Sequence, residues 1–86
     1  MIYTTRIPDE IKNASIAPGN EVLVDTKGLD CILAPEGGNV YVSLVKNAAA
    51  DARFPLYSGQ SLDFCGKLYV SSESGSSVGC LFYRTL

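Results

Sequence analysis

Residues 19–45, GNEVLVDTKGLDCILAPEGGNVYVSLV, decide the fold of this chain, because residues 59–83, GQSLDFCGKLYVSSESGSSVGCLFY, repeat their plan. Each stretch begins with an apolar alternation, turns at a glycine (Gly28 or Gly66), continues through a second apolar segment and reaches a third after an acidic, glycine-containing turn. Alternation with a period of two is typical of β-strands, and short glycine turns are typical of the connections between them. The repeat predicts two similar three-strand units that form two small antiparallel sheets closing on each other.

The same pattern gives bounds for seven strands, at 21–25, 30–34, 40–46, 53–57, 60–65, 67–72 and 78–84. The first two are joined through Thr26-Lys27-Gly28, which predicts a hairpin. Residues 47–53, NAAADAR, interrupt the strand pattern and predict a crossover between the halves with one helical turn. Strands this short and regularly spaced predict an all-β fold, a compact antiparallel β-sandwich or jelly-roll-like small barrel.

The first 18 residues differ from the rest of the chain. They contain Pro8 and Pro18 and lack a sustained apolar alternation, which indicates an N-terminal arm in residues 1–18 and a single domain in residues 19–86. We expect at most one helical turn at 9–12.

Charge and composition restrict the partners. The net charge is −2 and the seven basic residues are scattered singly, so the chain has no basic field for a nucleic acid. The N-terminus lacks the apolar run of a signal peptide, and the longest apolar runs are too short to span a membrane. We therefore expect neither nucleic acid nor a membrane as a partner.

The sequence offers little catalytic chemistry. Histidine is absent, which removes the commonest general base and the commonest metal ligand. Cys65 has no imidazole to activate it, and Asp25, Asp30 and Glu36 lack the dense spacing of a calcium-binding loop. We expect no enzyme, no cofactor and no metal site.

The three cysteines, Cys31, Cys65 and Cys80, have no CxxC spacing. Cys31 and Cys80 fall on alternating strand patterns, so we expect them to be reduced thiols packed as small apolar side chains. A disulfide that includes Cys31 or Cys65 is the alternative.

The outward positions of the predicted strands are unusually apolar. These positions hold Tyr41, Val45, Tyr69, Leu81 and Tyr83. If the strands are neighbours, these side chains form a patch that a monomer seldom exposes, and a protein interface is the natural use. Cover by a loop or by the arm within one chain is the alternative. We also expect the arm around Ile2 and Tyr3 to reach a neighbour by adding a strand to an exposed edge.

The second half of the chain carries a family resemblance. FPLYSGQSLDFCGKLYV, at 54–70, is followed by a Ser/Gly turn and by a last strand, VGCLFY, at 78–83. This order resembles the ending of small virion proteins of tailed bacteriophages. The resemblance implies a compact β-sandwich or jelly roll that decorates the capsid or attaches fibres and tails, usually as an oligomer and often as a trimer. The resemblance assigns no role to any individual residue, because such proteins act through surfaces.

We therefore expect a non-enzymatic structural protein of a phage virion, assembled in the host cytoplasm. It acts as a capsid decoration or stabilisation subunit. Its expected partners are further copies of itself, with a trimer favoured, and the phage capsid or another virion protein. The alternative is a receptor- or glycan-binding module of a tail or head fibre. The fold class hosts sugar-binding proteins and five tyrosines are present, but tryptophan is absent.

Overall fold

A computed structural model describes residues 5–86, which form eight strands and one 3-10 turn. The strands are β1 (Arg6–Ile16), β2 (Asn20–Asp25), β3 (Asp30–Glu36), β4 (Val40–Ser43), β5 (Phe54–Leu56), β6 (Leu62–Phe64), β7 (Lys67–Ser72) and β8 (Ser76–Thr85), and the 3-10 turn is Ala50–Ala52. Sheet A has the order β1-β8-β3-β6, and sheet B has the order β2-β7-β4-β5. All pairings are antiparallel, so the predicted small β-sandwich is confirmed, with a jelly-roll strand order.

The two sheets are built from one rolled antiparallel ribbon. β4 pairs with β5, β3 with β6, β2 with β7 and β1 with β8. Rolling this ribbon brings β8 beside β3 and β7 beside β4, which adds the remaining pairings. The first repeated unit holds β2, β3 and β4, and the second holds β6, β7 and β8. No two strands of the same unit pair with each other, so neither unit forms a sheet by itself.

The predicted hairpin between β2 and β3 is wrong, because these strands lie in opposite sheets. Lys27 and Gly28 both have positive φ, as in a hairpin turn, but the chain passes from one sheet to the other here. The buried Thr26 fixes this corner: its backbone N–H donates to the Gly66 carbonyl (2.9 Å), and its Oγ1 accepts from the Gly66 N–H (2.8 Å). The two strands of the ribbon thus turn the corner together.

The helical turn predicted in 47–53 is present at Ala50–Ala52, but the crossover is not. The segment closes the tip of the ribbon, because β4 and β5 on either side of it pair in sheet B.

Most of the expected arm is a strand. β1 pairs along its length with β8 at the edge of sheet A, so residues 9–12 are extended and form no helical turn. A register shift between Pro8 and Glu10 lets the strand continue past the proline. Ile16, at the end of β1, is buried in the core.

The core lies between the inner faces of the two sheets. Apolar side chains that alternate along the strands point into this core. The buried side chains include Cys31, Leu33, Val40, Val42, Leu56, Val70, Val78, Cys80 and Phe82. Leu44 would continue the inward alternation of Val40 and Val42, but it is 79% exposed. β4 ends at Ser43, whose Oγ donates to the Val45 carbonyl and turns the chain. In the part of the chain described, no helix is long and apolar enough to cross a membrane.

Candidate functional site: the outer faces of the sheets

The residues of the predicted apolar patch lie on two different faces. Tyr41 in β4 and Tyr69 in β7 belong to sheet B, whereas Leu81 and Tyr83 in β8 belong to sheet A. Val45 lies in the loop after β4 and is exposed. The expected single patch is therefore divided, because alternation predicts which way a side chain points but not which sheet its strand joins. Ile2 and Tyr3 lie outside the described residues.

An apolar row lies on three strands of the outer face of sheet A and ends at Asp63 of β6, which pairs with Ile32. Ile11 in β1 lies opposite Leu81 in β8, and Leu81 lies opposite Ile32 in β3. Ile11 is 72% exposed, and the other two side chains are half-buried. A solvated sheet face normally carries polar side chains at these positions, so this row is a candidate contact surface.

A hollow lies beside that row. It has a volume of about 380 Å³, and Gly79 and Ala34, which are paired across β8 and β3, contribute to its lining. Asn13 on β1 and the Ser58–Gly59 turn also line it. Because Gly79 has no side chain, sheet A presents a row of small residues next to a row of large ones.

Tyr83 is covered by other side chains of its own chain. It is 4% exposed, and its hydroxyl donates to both carboxylate oxygens of Asp63 at 2.7 and 2.8 Å. The Arg6 guanidinium lies over its ring at 5.0 Å from the centroid and also contacts the Asp63 carboxylate at 3.4 Å. The group ties β1 and β6, the two edge strands of sheet A, to the central β8. Within one chain, Arg6 and Asp63 therefore cover the Tyr83 side chain.

The Tyr83–Asp63 contact predicts a loss of stability in alkali. The hydrogen bond to Asp63 raises the pKa of Tyr83, because ionisation removes the donated proton, and burial acts in the same direction. Since the pKa is higher in the folded state, its stabilising effect is complete below the unfolded value of about 10 and disappears as the pH rises through the folded value. We expect Tyr83→Phe to flatten the fall in urea midpoint above about pH 10.

Tyr57→Phe is the control for that experiment, because Tyr57 is 52% exposed in the turn after β5. It is expected to keep the alkaline fall of the wild-type protein. An equal fall in the Tyr83→Phe variant would contradict the role given to the Tyr83 hydroxyl.

The outer face of sheet B carries Tyr41 and Tyr69 and is partly covered. The Arg53 guanidinium lies over the Tyr41 ring at 4.5 Å, and Arg53 also lies 3.8 Å from the Glu73 carboxylate. Tyr69 lies between Leu23 and Ser43 in register and is half-buried. Tyr41 and Tyr69 therefore share a face, but a guanidinium covers the ring of Tyr41.

A groove of about 280 Å³ opens between β1 and β2. Most of the side chains that line the groove belong to the hydrophobic core or pack against it: Ala14, Val22, Val24, Cys80 and Phe82. Lys12 and Lys27 also line it. Lys12 forms an ion pair with Glu10 at 3.1 Å. Across residues 5–86, no three His, Cys, Asp or Glu side chains come together in a group that could hold a metal ion.

The cysteines are free, and Cys31 and Cys80 are buried as expected, while Cys65 is exposed. The neighbouring Cys80 thiol raises the pKa of Cys31, and burial raises it further. The Cys31 thiol is therefore protonated at neutral pH and packs as a small apolar side chain.

Two residues of the sheet A row were missed by sequence reasoning. Ile11 lies in a segment interpreted as an arm, and Ile32 was treated only as part of an apolar run. A signal for Ile32 is present, because it alternates with Cys31 and Leu33, whose side chains are buried. The polar sequence around Ile11 offers no comparable signal.

Comparison with known proteins supports the fold of this chain but assigns it to no family. No family model matches the chain, and no curated protein matches it. A de novo designed double-stranded β-helix, solved by solution NMR, is similar to it with a TM-score of 0.64 and 14% sequence identity. The match covers 86% of this chain and 99% of the designed chain. At this identity the similarity shows the fold alone, which is the rolled two-stranded ribbon of a double-stranded β-helix.

Proposed function

We propose that this chain is a non-enzymatic structural subunit of a bacteriophage virion. It decorates or stabilises the capsid, associates with itself, and binds through the outer faces of its sheets. The observation that carries the proposal is the row Ile11, Leu81 and Ile32 across sheet A. Burying this row in a contact contributes about 25 cal/mol per Å² of apolar area before the costs of association.

The choice of partner rests on the resemblance of residues 54–83 to small virion proteins and on charge. The chain carries a net charge of −2 with scattered basic residues, which suits a protein surface better than a nucleic acid. Jelly-roll domains also occur in viral capsids.

The second candidate, a glycan-binding module, has less support from the tyrosines. Arg53 lies over the ring of Tyr41, and Arg6 lies over the ring of Tyr83. A face covered in this way is not free to stack on a sugar ring. Saturable binding on a glycan array that a Tyr69→Ala or Tyr57→Ala variant loses would favour this candidate instead.

Replacing Ile11 by lysine is expected to abolish self-association without unfolding the protein. Ile11 is on an edge strand and 72% exposed, so a lysine there is solvated in the monomer but desolvated in a contact. Leu44→Lys is the matched control, because Leu44 is 79% exposed and follows β4 of sheet B.

Sedimentation velocity over a hundredfold range of concentration measures the effect. We expect concentration-dependent association of the wild-type protein and of Leu44→Lys, and a single monomeric species for Ile11→Lys. Unchanged association of the Ile11→Lys variant would show that the outer face of sheet A is not the contact between copies.

The virion role has its own test. Lysates of cells infected with the phage that encodes the chain are fractionated on a density gradient, and the chain is detected with an antibody. We expect it to sediment with the particles and to remain bound after a second gradient. Its recovery only at the top of the gradient would contradict the proposal.

A further inference from the structure

We infer that a second copy of this chain occupies the outer face of sheet A, so that Leu81 of each copy enters the hollow over Gly79 of the other. The inference rests on the self-association in the proposed function and names the contact that produces it.

The face has the pattern of large and small residues that such a pair requires. The large row is Ile11, Leu81 and Ile32. The adjoining row, Asn13, Gly79 and Ala34, lies two residues away on each strand and is called the small row because of Gly79 and Ala34. The small row forms part of the hollow of about 380 Å³. A raised row and a hollow therefore lie side by side on the same three strands.

A two-fold axis places each row against the other. If the axis lies between the two rows and perpendicular to the strands, the large row of one copy covers the small row of its partner. Leu81 then faces Gly79 of the partner subunit and Ile32 faces Ala34 of the partner subunit, and the same contacts recur on the other side of the axis. This is an isologous contact, and the strands of the two copies run antiparallel, within the range of aligned sheet packing.

The area of the face matches what a modest dimer needs. The four strands of sheet A have 11, 10, 7 and 3 residues. With about 3.3 Å per residue and about 4.8 Å between strands, the face covers about 500 Å² per copy. The pair buries about 1,000 Å² in total, at the lower limit for a specific interface, so the dimer is concentration-dependent.

Charged side chains lie at the rim of this contact. Asp30 lies in the row of Tyr83, and Glu36 lies in the row of Ser77. In the pair these two rows face each other, which brings Asp30 of one copy towards Glu36 of the partner subunit. Arg6 also lies on this face, over the Tyr83 ring and 3.4 Å from the Asp63 carboxylate, so the rim of the pair holds charges of both signs.

Cross-linking between two different variants tests the pairing. In a Cys65→Ser background, one chain carries Ile32→Cys and another carries Ala34→Cys, and the two are mixed and oxidised with diamide. Two thiols form the disulfide, and diamide takes up the two hydrogens. We expect the mixture to give at least fivefold more cross-linked dimer than either chain alone, and Leu44→Cys to give only the background.

The outcomes separate this inference from the proposed function. An associated protein, whether a trimer or a dimer, in which the mixture gives only the background would overturn the pairing and leave self-association in place. A protein that stays monomeric at every concentration would overturn both the pairing and the self-association.

Discussion

Replacing Leu33 by alanine is expected to lower the free energy of unfolding by about 2–5 kcal/mol. Leu33 is 0% exposed and lies in β3, between Cys80 of β8 and Leu62 of β6. Its side chain fills the space between the two sheets, and the rolled ribbon holds β3 on both sides. Because the backbone cannot collapse into the space, the variant keeps a cavity in addition to losing the transfer free energy.

Urea unfolding of Leu33→Ala measures this loss, with Leu44→Ala as its control. Both changes remove the same atoms, but Leu44 is exposed after the end of β4, so its expected change is within about 0.5 kcal/mol. Both variants are compared at one protein concentration, because association also stabilises the folded chain. Equal effects of the two substitutions would contradict the inward orientation of β3.

Gly38→Ala is expected to destabilise the protein by about 1–3 kcal/mol or more, although alanine suits the backbone of most positions better than glycine. Gly38 lies in the turn between β3 and β4, and a Cβ there would collide with the backbone carbonyl of Gly75 in the turn between β7 and β8. The Ser76 hydroxyl also donates to the Gly38 carbonyl at 2.9 Å. The two turns are packed backbone to backbone, and neither can move without displacing a strand pair.

Gly79→Ala is the control for the Gly38 variant. A Cβ at Gly79 has the end of the Asn13 side chain as its nearest neighbour, at 3.3 Å, and that side chain can move. Its expected effect is within about 1 kcal/mol in either direction. Both glycine variants are measured in the Ile11→Lys background, so that any effect on association does not enter. A loss in Gly79→Ala as large as that in Gly38→Ala would contradict the close contact of the two turns.

Strands that alternate strongly could be predicted from sequence. β7 has the predicted bounds, 67–72, and the inward set of β8 is buried as its alternation indicates. These elements were predictable because side chains on successive residues point to opposite faces, and burial of one face leaves a period of two in the sequence.

The pairing of the strands could not be predicted in the same way. Thr26-Lys27-Gly28 has the local conformation of a hairpin turn, yet its strands separate because Thr26 bonds to Gly66, 40 residues away. β1 was missed because its backbone pairs with β8 whatever its side chains are, and its side chains are mostly polar or charged. Both errors come from contacts that are distant in sequence.

The surface was harder to predict than the core. Tyr83 points outward by alternation, but Asp63 and Arg6 enclose it, and both come from other strands. Ile11, the most exposed member of the apolar row, lies in a segment with no apolar alternation. On the outer face of a sheet, the neighbours of a side chain are set by which strands pair. An apolar surface is therefore recognised only once the strand pairing is known.

An isotope-filtered NOE experiment tests the central claim, that the outer face of sheet A is a contact between copies, most directly. A sample is mixed from ¹³C-labelled and unlabelled chains at a concentration where the protein associates. We predict intermolecular NOEs between the Leu81 methyl groups and the Gly79 α-protons. A sample that tumbles as a 9.2-kDa monomer and shows no such NOEs would contradict the account.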